Sequence, residues 1–201
     1  MVVAVAAFSL AAALIVLLPG PDTLVVLREL LRDGRGRAVQ TVVGVLCGLA
    51  VWVLAAALGL SALLRASHTG YISLKIAGAA YLIWLGVQSL RLRRIAADRP
   101  RRRVLGRGFT AGFATDLLNP KVGVFFVTLL PGFVPGGYSV AGLSLLFGAI
   151  FIVETALYFT VLLLVATPIT RWLADARIRR RMDATTGAVL IGLGVRLAVD
   201  Q

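Results

Sequence analysis

The chain has 201 residues, of which 59% are hydrophobic and only 15% are charged, and its mean hydropathy is +0.93. Ordinary soluble domains are roughly 45–50% apolar, so this composition excludes a soluble globular protein. A membrane-crossing helix needs roughly 20 mostly apolar residues, so the chain can hold about six such helices and no separate water-soluble domain. We therefore treat residues 1–201 as a single transmembrane domain.

The formal net charge of +12 is concentrated in a few places. Most Lys and Arg residues lie in three patches, at residues 28–37, 91–107 and 171–181, which alternate with apolar segments. A strongly basic soluble protein would suggest nucleic-acid binding, but this placement argues against a nucleic-acid partner and indicates membrane topology. The positive-inside rule puts the three patches in the cytoplasm and both chain termini outside.

Six apolar segments predict six transmembrane helices. In chain order they cover residues 5–27, 39–64, 72–90, 108–134, 140–169 and 184–199. With six crossings, the three arginine-rich connections all fall on one side of the membrane. A five-helix arrangement would place the last basic patch outside, which the positive-inside rule disfavours.

Two pairs of matching segments predict an internal duplication. Residues 80–87 and 188–195 are identical at six of eight positions, and residues 17–21 (Leu-Leu-Pro-Gly-Pro) match residues 117–121 (Leu-Leu-Asn-Pro-Lys). Chance similarity in a chain rich in Leu and Ala is the alternative. Three helices in each half, about residues 1–92 and 105–201, force the halves into opposite orientations. The predicted fold is therefore all-α: six transmembrane helices in two inverted repeats, with helices one and four broken.

Proline interrupts the first and fourth predicted helices near their midpoints. Pro19, Gly20 and Pro21 interrupt the first, and Asn119 with Pro120 interrupts the fourth. Proline removes a backbone donor and leaves polar groups that need other partners. Matched interruptions of this kind are a good sequence indicator of a transporter's binding site, although an ordinary proline kink is the alternative.

Charged residues flank both interruptions. Asn119 is a favourable N-cap and Pro120 suits a first helical position, so a half-helix with unpaired amides facing the site is expected there. Lys121 lies in its first turn and must have a carboxylate or a bound anion as partner, while Asp22 is placed to cap the second half of helix one. Together they would bind the carboxylate and ammonium of a zwitterionic amino acid. A permanent Asp22–Lys121 ion pair that only holds the fold is the alternative.

Two further carboxylates, Asp116 and Glu154, lie in apolar segments. Low-dielectric surroundings favour the protonated form of a carboxyl group, which makes such residues candidates for proton coupling. Glu154 has no basic residue near it in sequence and is the preferred candidate, with a structural hydrogen-bonding role as the alternative. Asp22 is a second candidate, and Asp116 either carries a proton or neutralises Lys121.

Gly44 and Gly48 form a Gly-x-x-x-Gly motif that permits close helix packing, either within the fold or across a homodimer interface. Cys47 is the single cysteine and His68 the single histidine, and no His-Glu-x-x-His or Gly-x-Ser-x-Gly pattern occurs. We therefore expect no enzymatic activity, no metal site and no cofactor.

The ordered set of short motifs resembles the LysE/RhtB family of amino-acid exporters across nearly the whole chain. The motifs are Pro19-Gly20-Pro21-Asp22, Gly34-Arg35-Gly36-Arg37, Gly44 to Gly48, residues 75–86, Gly112-Phe113, Asn119-Pro120-Lys121 and Leu130-Pro131-Gly132-Phe133. The family often carries Asn where this chain has Asp22, and the acid makes contact with a substrate ammonium more favourable.

The resemblance implies a multi-pass protein of the bacterial plasma membrane, with membrane lipid around it and an amino acid as its small-molecule partner. It implies secondary active export of amino acids or related zwitterionic metabolites, by proton antiport and alternating access. A small membrane channel or scaffold without amino-acid transport is the alternative.

Overall fold

A computed structural model of the chain describes residues 1–92, 105–165 and 176–199. These residues form helices and contain no strand, so the all-α class is confirmed. We number the helices α1 (Val2–Leu17), α2 (Pro21–Ala66), α3 (His68–Leu92), α4 (Phe109–Leu117), α5 (Pro120–Val124), α6 (Val140–Leu164) and α7 (Ala176–Val199). A π-helical turn, Phe125–Leu129, and a 3-10 turn, Leu130–Phe133, continue α5.

Two stretches of the described residues are long and apolar enough to cross a membrane: Pro21–Gly59 and Val140–Leu164. The pair Phe109–Leu117 and Pro120–Phe133, bent by 49°, would make a third span, and two shorter apolar helices cover Val2–Leu17 and Ala184–Val199. These lengths agree with a membrane protein. The six crossings and the inverted arrangement of the halves remain predictions.

Helix α2 corrects the predicted first connection. Residues 28–38 were expected to form a loop, but they are helical on both sides of Gly34, which has φ 81° and ψ −177°. Arg and Leu are good helix formers, and only the glycine adopts the left-handed backbone region that ends one helical stretch and begins the next. Residues 21–33 are thus the second half of predicted helix one.

Other predicted boundaries also shift. Only Ser67 separates α2 from α3, where a longer connection was expected. Helix α7 begins at Ala176 rather than at the predicted Ala184, so part of the third basic patch is helical. The second basic loop between residues 93 and 104 and the predicted end of helix five after residue 165 lie outside the described residues.

Both predicted interruptions are present. Helix α1 ends at Leu17 and α2 begins at Pro21, while α4 ends at Leu117 and α5 begins at Pro120. Each second half therefore begins with proline, whose missing N–H is not needed at a first helical position.

The glycines of the Gly-x-x-x-Gly motif pack within the chain. Helix α4 lies against α2, and α1 lies against α6. A methyl group added at Gly44 would collide with the Phe109 carbonyl oxygen, and one added at Gly112 would collide with the Thr41 carbonyl oxygen. These two glycines allow the backbones of α2 and α4 to approach closely.

Helices α3 and α7 form an antiparallel pair whose contacts are reciprocal. Gly86 lies against Gly187, and Gly194 lies against Ala79. In the match between residues 80–87 and 188–195, Gly86 corresponds to Gly194 and Ala79 to Gly187. The same contact therefore occurs twice with the two helices exchanged, which is the pattern that a two-fold axis produces.

We expect Gly194→Ala to lower the free energy of unfolding by about 1–3 kcal/mol, because the packed backbone of α3 must move to admit the methyl group. The added Cβ would lie 2.8 Å from Ile83 Cγ1 and 2.9 Å from the Ala79 carbonyl oxygen. Thermal unfolding in detergent measures the effect. Gly192→Ala is the control, because nothing lies within 4 Å of a Cβ there; equal effects of the two changes would contradict the packing of α3 against α7.

Candidate functional site

The two interruptions meet at a small, partly open cavity lined by α1, α2, α4, α5 and α6. Its volume is about 30 Å³, which holds about two water molecules. Apolar side chains such as Val45, Leu49 and Phe151 form part of its wall. Its polar lining residues are Asp22, Thr23, Asp116, Lys121, Thr155 and Tyr158.

Lys121 reaches from the first turn of α5 to the end of α1. Its Nζ donates hydrogen bonds to the carbonyl oxygens of Ile15, at 3.1 Å, and Leu18, at 2.9 Å. The C-terminal end of a helix favours a cation, so the lysine satisfies carbonyls that the interruption leaves unpaired. The direct partners are therefore carbonyls, rather than the carboxylate or anion expected from the sequence. Two of the three ammonium protons are used in this way, which leaves one for the cavity.

Asp22 faces the same cavity and is 9% exposed. Its Oδ2 accepts a hydrogen bond from Asn119 Nδ2 at 2.6 Å, instead of capping its own helix, and its buried Oδ1 has no hydrogen-bond partner. Asp22 interacts electrostatically with Lys121, but the described contacts include no direct ion pair between them.

Asn119 organises the second interruption. It is the N-cap of α5, as predicted, and its Oδ1 accepts the Lys121 backbone N–H at 3.1 Å. Its carbonyl oxygen also accepts the amides of Val122 and Gly123, both at 3.1 Å. The first-turn amides that were expected to face the site unpaired are thus satisfied, so binding of an anion depends on the Lys121 side chain.

Asp22 and Lys121 occupy the same position in the two broken helices. Each follows the proline that begins the second half, Pro21 in α2 and Pro120 in α5. The sequence match had placed Pro21 opposite Lys121, one residue out of register, because the first interruption is one residue longer. The pseudo-equivalent positions therefore carry an acid and a base.

Asp116 is fully buried beside this pair. Neither of its carboxylate oxygens has a hydrogen-bond partner, and its backbone carbonyl accepts the Trp52 Nε1–H at 3.4 Å. Gly48 leaves the space for it, since a Cβ there would lie 2.6 Å from Asp116 Oδ2. Asp116 also interacts electrostatically with Lys121, so two carboxylates surround one ammonium group.

Not all of the predicted site residues line the cavity. Glu154 is half-buried on α6 and is not part of the lining, although its Oε2 is buried and has no partner. Pro19, Pro21 and Pro120 shape the interruptions without lining the cavity, whereas Gly20 lines it.

Three hydroxyl groups line the cavity, and two of them, those of Thr23 and Thr155, were not singled out by the sequence analysis. Thr23 Oγ1 lies 3.3 Å from the Tyr158 hydroxyl, and Thr155, 6% exposed, has an Oγ1 without a partner. Thr155 and Tyr158 are three residues apart on α6 and share one helical face. That spacing could have indicated this polar face of α6, but it does not distinguish a cavity wall from ordinary helix packing.

Different contacts close the two ends of the paired broken helices. At one end the Phe8 ring stacks on Phe147, with ring centroids 4.5 Å apart, and meets Phe133 edge-on at 5.4 Å. At the other end the buried Glu29 accepts a hydrogen bond from the Gly108 amide. The sequence analysis did not single out Glu29, because an acid next to Arg28 suggests an exposed pair.

Residues 13–201 match the family model described as LysE type translocator. The threonine efflux protein of Escherichia coli (strain K12) is 32% identical over 190 residues, which cover 91% of each chain. The homoserine/homoserine lactone efflux protein of Salmonella typhimurium is 29% identical over 198 residues, 96% of this chain and 94% of that protein.

An uncharacterised membrane protein of Pseudomonas aeruginosa is 34% identical over 196 residues, 92% of this chain and 89% of that protein. No solved structure matches the chain.

We expect Asn119→Ala to destabilise the protein by about 1–3 kcal/mol, because it removes the cap of α5 and leaves the Asp22 carboxylate without its donor. Asn119→Ser separates the two roles, since a serine hydroxyl can still cap the helix. It should lose less stability than the alanine variant in thermal unfolding. A wild-type melting temperature for Asn119→Ala would contradict the role assigned to this residue.

Proposed function

Since this chain belongs to the LysE type translocator family, we propose that it exports small zwitterionic amino acids in exchange for protons, by alternating access at the cavity between its two broken helices. Its relatives named for the efflux of threonine and of homoserine support an amino acid as the substrate. The arginine-rich patches face the cytoplasm in this proposal, and substrate enters from that side.

One observation carries the proposal: at the second position of each half-helix the cavity offers a carboxylate with an unpaired oxygen, Asp22, and a basic donor, Lys121, with Asp116 as a further carboxylate beside them. Asp22 Oδ1 is buried without a partner, and Lys121 has one ammonium proton beyond the two that it donates to α1. A zwitterionic amino acid supplies the complementary groups, an ammonium for Asp22 and a carboxylate for Lys121. Charge-assisted hydrogen bonds of this kind are the strong ones in a water-poor site.

The small size of the cavity supports alternating access. A volume of about 30 Å³ is too small for an amino acid, since it holds only about two waters. In this proposal, binding and release require the broken helices to move apart around the cavity, first on one side of the membrane and then on the other. The reciprocal contacts of α3 and α7 support two inverted halves, which can exchange inward-open and outward-open arrangements by rocking.

Competition at Asp22 accounts for exchange with protons. Its free carboxylate oxygen can hold either a proton or the substrate ammonium, and each excludes the other, as antiport requires. Asp116 balances the charge of Lys121 while no substrate carboxylate is bound. Glu154 is the rival proton carrier, but it does not line the cavity and would act without contact to the substrate.

Efflux from preloaded proteoliposomes tests the function directly. We expect labelled small zwitterionic amino acids, with threonine and homoserine in the panel, to leave faster when a pH gradient is imposed. Basic and acidic amino acids should leave more slowly, because Asp22 and Lys121 match one ammonium and one carboxylate, and a further charge on the substrate would have no partner. Folded protein that transports no amino acid would overturn the proposal and favour a channel or scaffold.

Substitution of the charged pair tests the site. Asp22→Asn and Lys121→Ala should each reduce export at least about 30-fold, because removing one partner of a desolvated charge pair costs about 2–5 kcal/mol. Leu118→Ala is the matched control, since Leu118 lies next to the second interruption but is 67% exposed.

Glu154→Gln should keep the acceleration by a pH gradient that Asp22→Asn loses. The opposite result would assign the exchanged proton to Glu154. Unimpaired export in both Asp22→Asn and Lys121→Ala would remove the site assignment.

A further inference from the structure

A second buried charge lies away from the cavity, and the transport site does not use it. Glu29 follows Pro21 by eight residues on α2 and is 1% exposed. Its Oε2 accepts the backbone N–H of Gly108 at 3.0 Å. Gly108 is the N-cap residue of α4 and has no side chain to cap that helix. A carboxylate from the first half of the chain thus caps the first helix of the second half, where the helix dipole favours a negative charge.

A second contact lies one helical turn further along α2. Arg107 Nη2 donates to Asp33 Oδ1 at 2.6 Å. The guanidinium and the carboxylate form an ion pair that is partly exposed, with Asp33 more buried than Arg107. Two successive turns of α2 therefore contact Arg107 and Gly108, the two residues that precede α4.

The change of backbone direction at Gly34 places the following residues of α2 beside Gly108 as well. After that glycine the chain places Arg37 and Gln40 beside Gly108, where a Cβ would lie 2.8 Å from Arg37 Cδ and from Gln40 Oε1. Gly108 itself has φ 54°, a conformation that favours glycine. Arg37, the last residue of the Gly34-Arg35-Gly36-Arg37 motif, thus lies against the start of α4.

Capping α4 does not by itself require Glu29. A Ser or Asn at position 108 could cap the helix locally, whereas a carboxyl group held in the interior is costly unless it is paired. Glu29 has two partners, the Gly108 amide and, at 3.9 Å from its Oε1, Nη1 of the neighbouring Arg28. The contact from Glu29 differs from a local cap in one respect: it joins the two halves of the chain across 79 residues of sequence. It breaks when the part of α2 before Gly34 moves away from the start of α4, and water can then solvate both partners.

We propose that Glu29 and Asp33, through Gly108 and Arg107, form the cytoplasmic gate of the transporter, which opens to admit the substrate. The proposal rests on the proposed function for the substrate and for the side of the membrane, and on the described contacts for the gate itself. The opposite end is closed by the rings of Phe8, Phe133 and Phe147, so the two gates differ in chemistry.

Accessibility of the cavity to a thiol reagent tests the gate without reference to any substrate. In a Cys47→Ser background, Leu49→Cys places a thiol on the cavity wall, and a membrane-impermeant maleimide is added to inside-out or right-side-out vesicles. Glu29→Ala should speed labelling from the cytoplasmic side by about tenfold, the effect of losing one buried hydrogen bond to a charged group. Labelling from the outer side should not accelerate.

Two further variants keep the test decisive if Glu29→Ala folds poorly. Glu29→Gln keeps an oxygen acceptor for the Gly108 amide and should give a smaller acceleration. Leu31→Ala, on the same turn but 68% exposed, should give none.

The converse experiment locks the gate. Asp33→Cys and Arg107→Cys, joined by a short bifunctional maleimide, should stop export, whereas either cysteine alone treated with the same reagent should not. Export that persists in the cross-linked protein would overturn the gate.

The outcomes separate the gate from the proposed function. Unchanged labelling in Glu29→Ala, or equal acceleration from both sides, overturns the gate even where amino-acid export is intact. Faster labelling from the cytoplasmic side alone supports the gate, even where the wild-type protein exports none of the amino acids offered.

Discussion

The hydrogen bonds from Lys121 to the last carbonyls of α1 are the interaction on which the site depends. A helix that is interrupted within a membrane leaves polar backbone groups that lipid cannot satisfy. Here each interruption obtains its partners from the other: Lys121 serves the end of α1, and Asn119 binds the Asp22 side chain beside it. The two broken helices must therefore lie together, and the cavity forms where they meet.

Contacts between the two halves of the chain continue from the cavity to both ends of the broken helices. Around the cavity the two halves are joined by polar contacts, and their ends are closed by Glu29 with Gly108 on one side and by stacked phenylalanine rings on the other. The α3–α7 pair stands apart from the cavity, with glycines that bring the two backbones into contact. This pair therefore joins the two halves of the chain beside the two broken, mutually dependent helices.

The sequence predicted those features that depend on neighbouring residues. Proline predicted both interruptions, and the position of Asn119 before Pro120 predicted its N-cap, because these effects depend on residues close together in the chain. The prediction of a loop at residues 28–38 was wrong, and the cause is also local. The arginines and leucines of this segment favour a helix, and only Gly34 interrupts it. The prediction that the amides after Pro120 are unpaired was also wrong. The Asn119 side chain accepts the Lys121 amide, and the Asn119 carbonyl accepts the amides of Val122 and Gly123.

By itself the sequence determined that the chain is an apolar helical protein with two proline interruptions, an acid beside one and a base beside the other, and it carried the motifs of its family. Only the tertiary structure decided that Lys121 binds carbonyls, that Asp116 rather than Glu154 faces the cavity, and that Glu29 holds Gly108. Helical periodicity and capping act over a few residues, so they can be read along the chain. The partner of a buried charge depends on how distant helices rotate and pack, which no local pattern specifies.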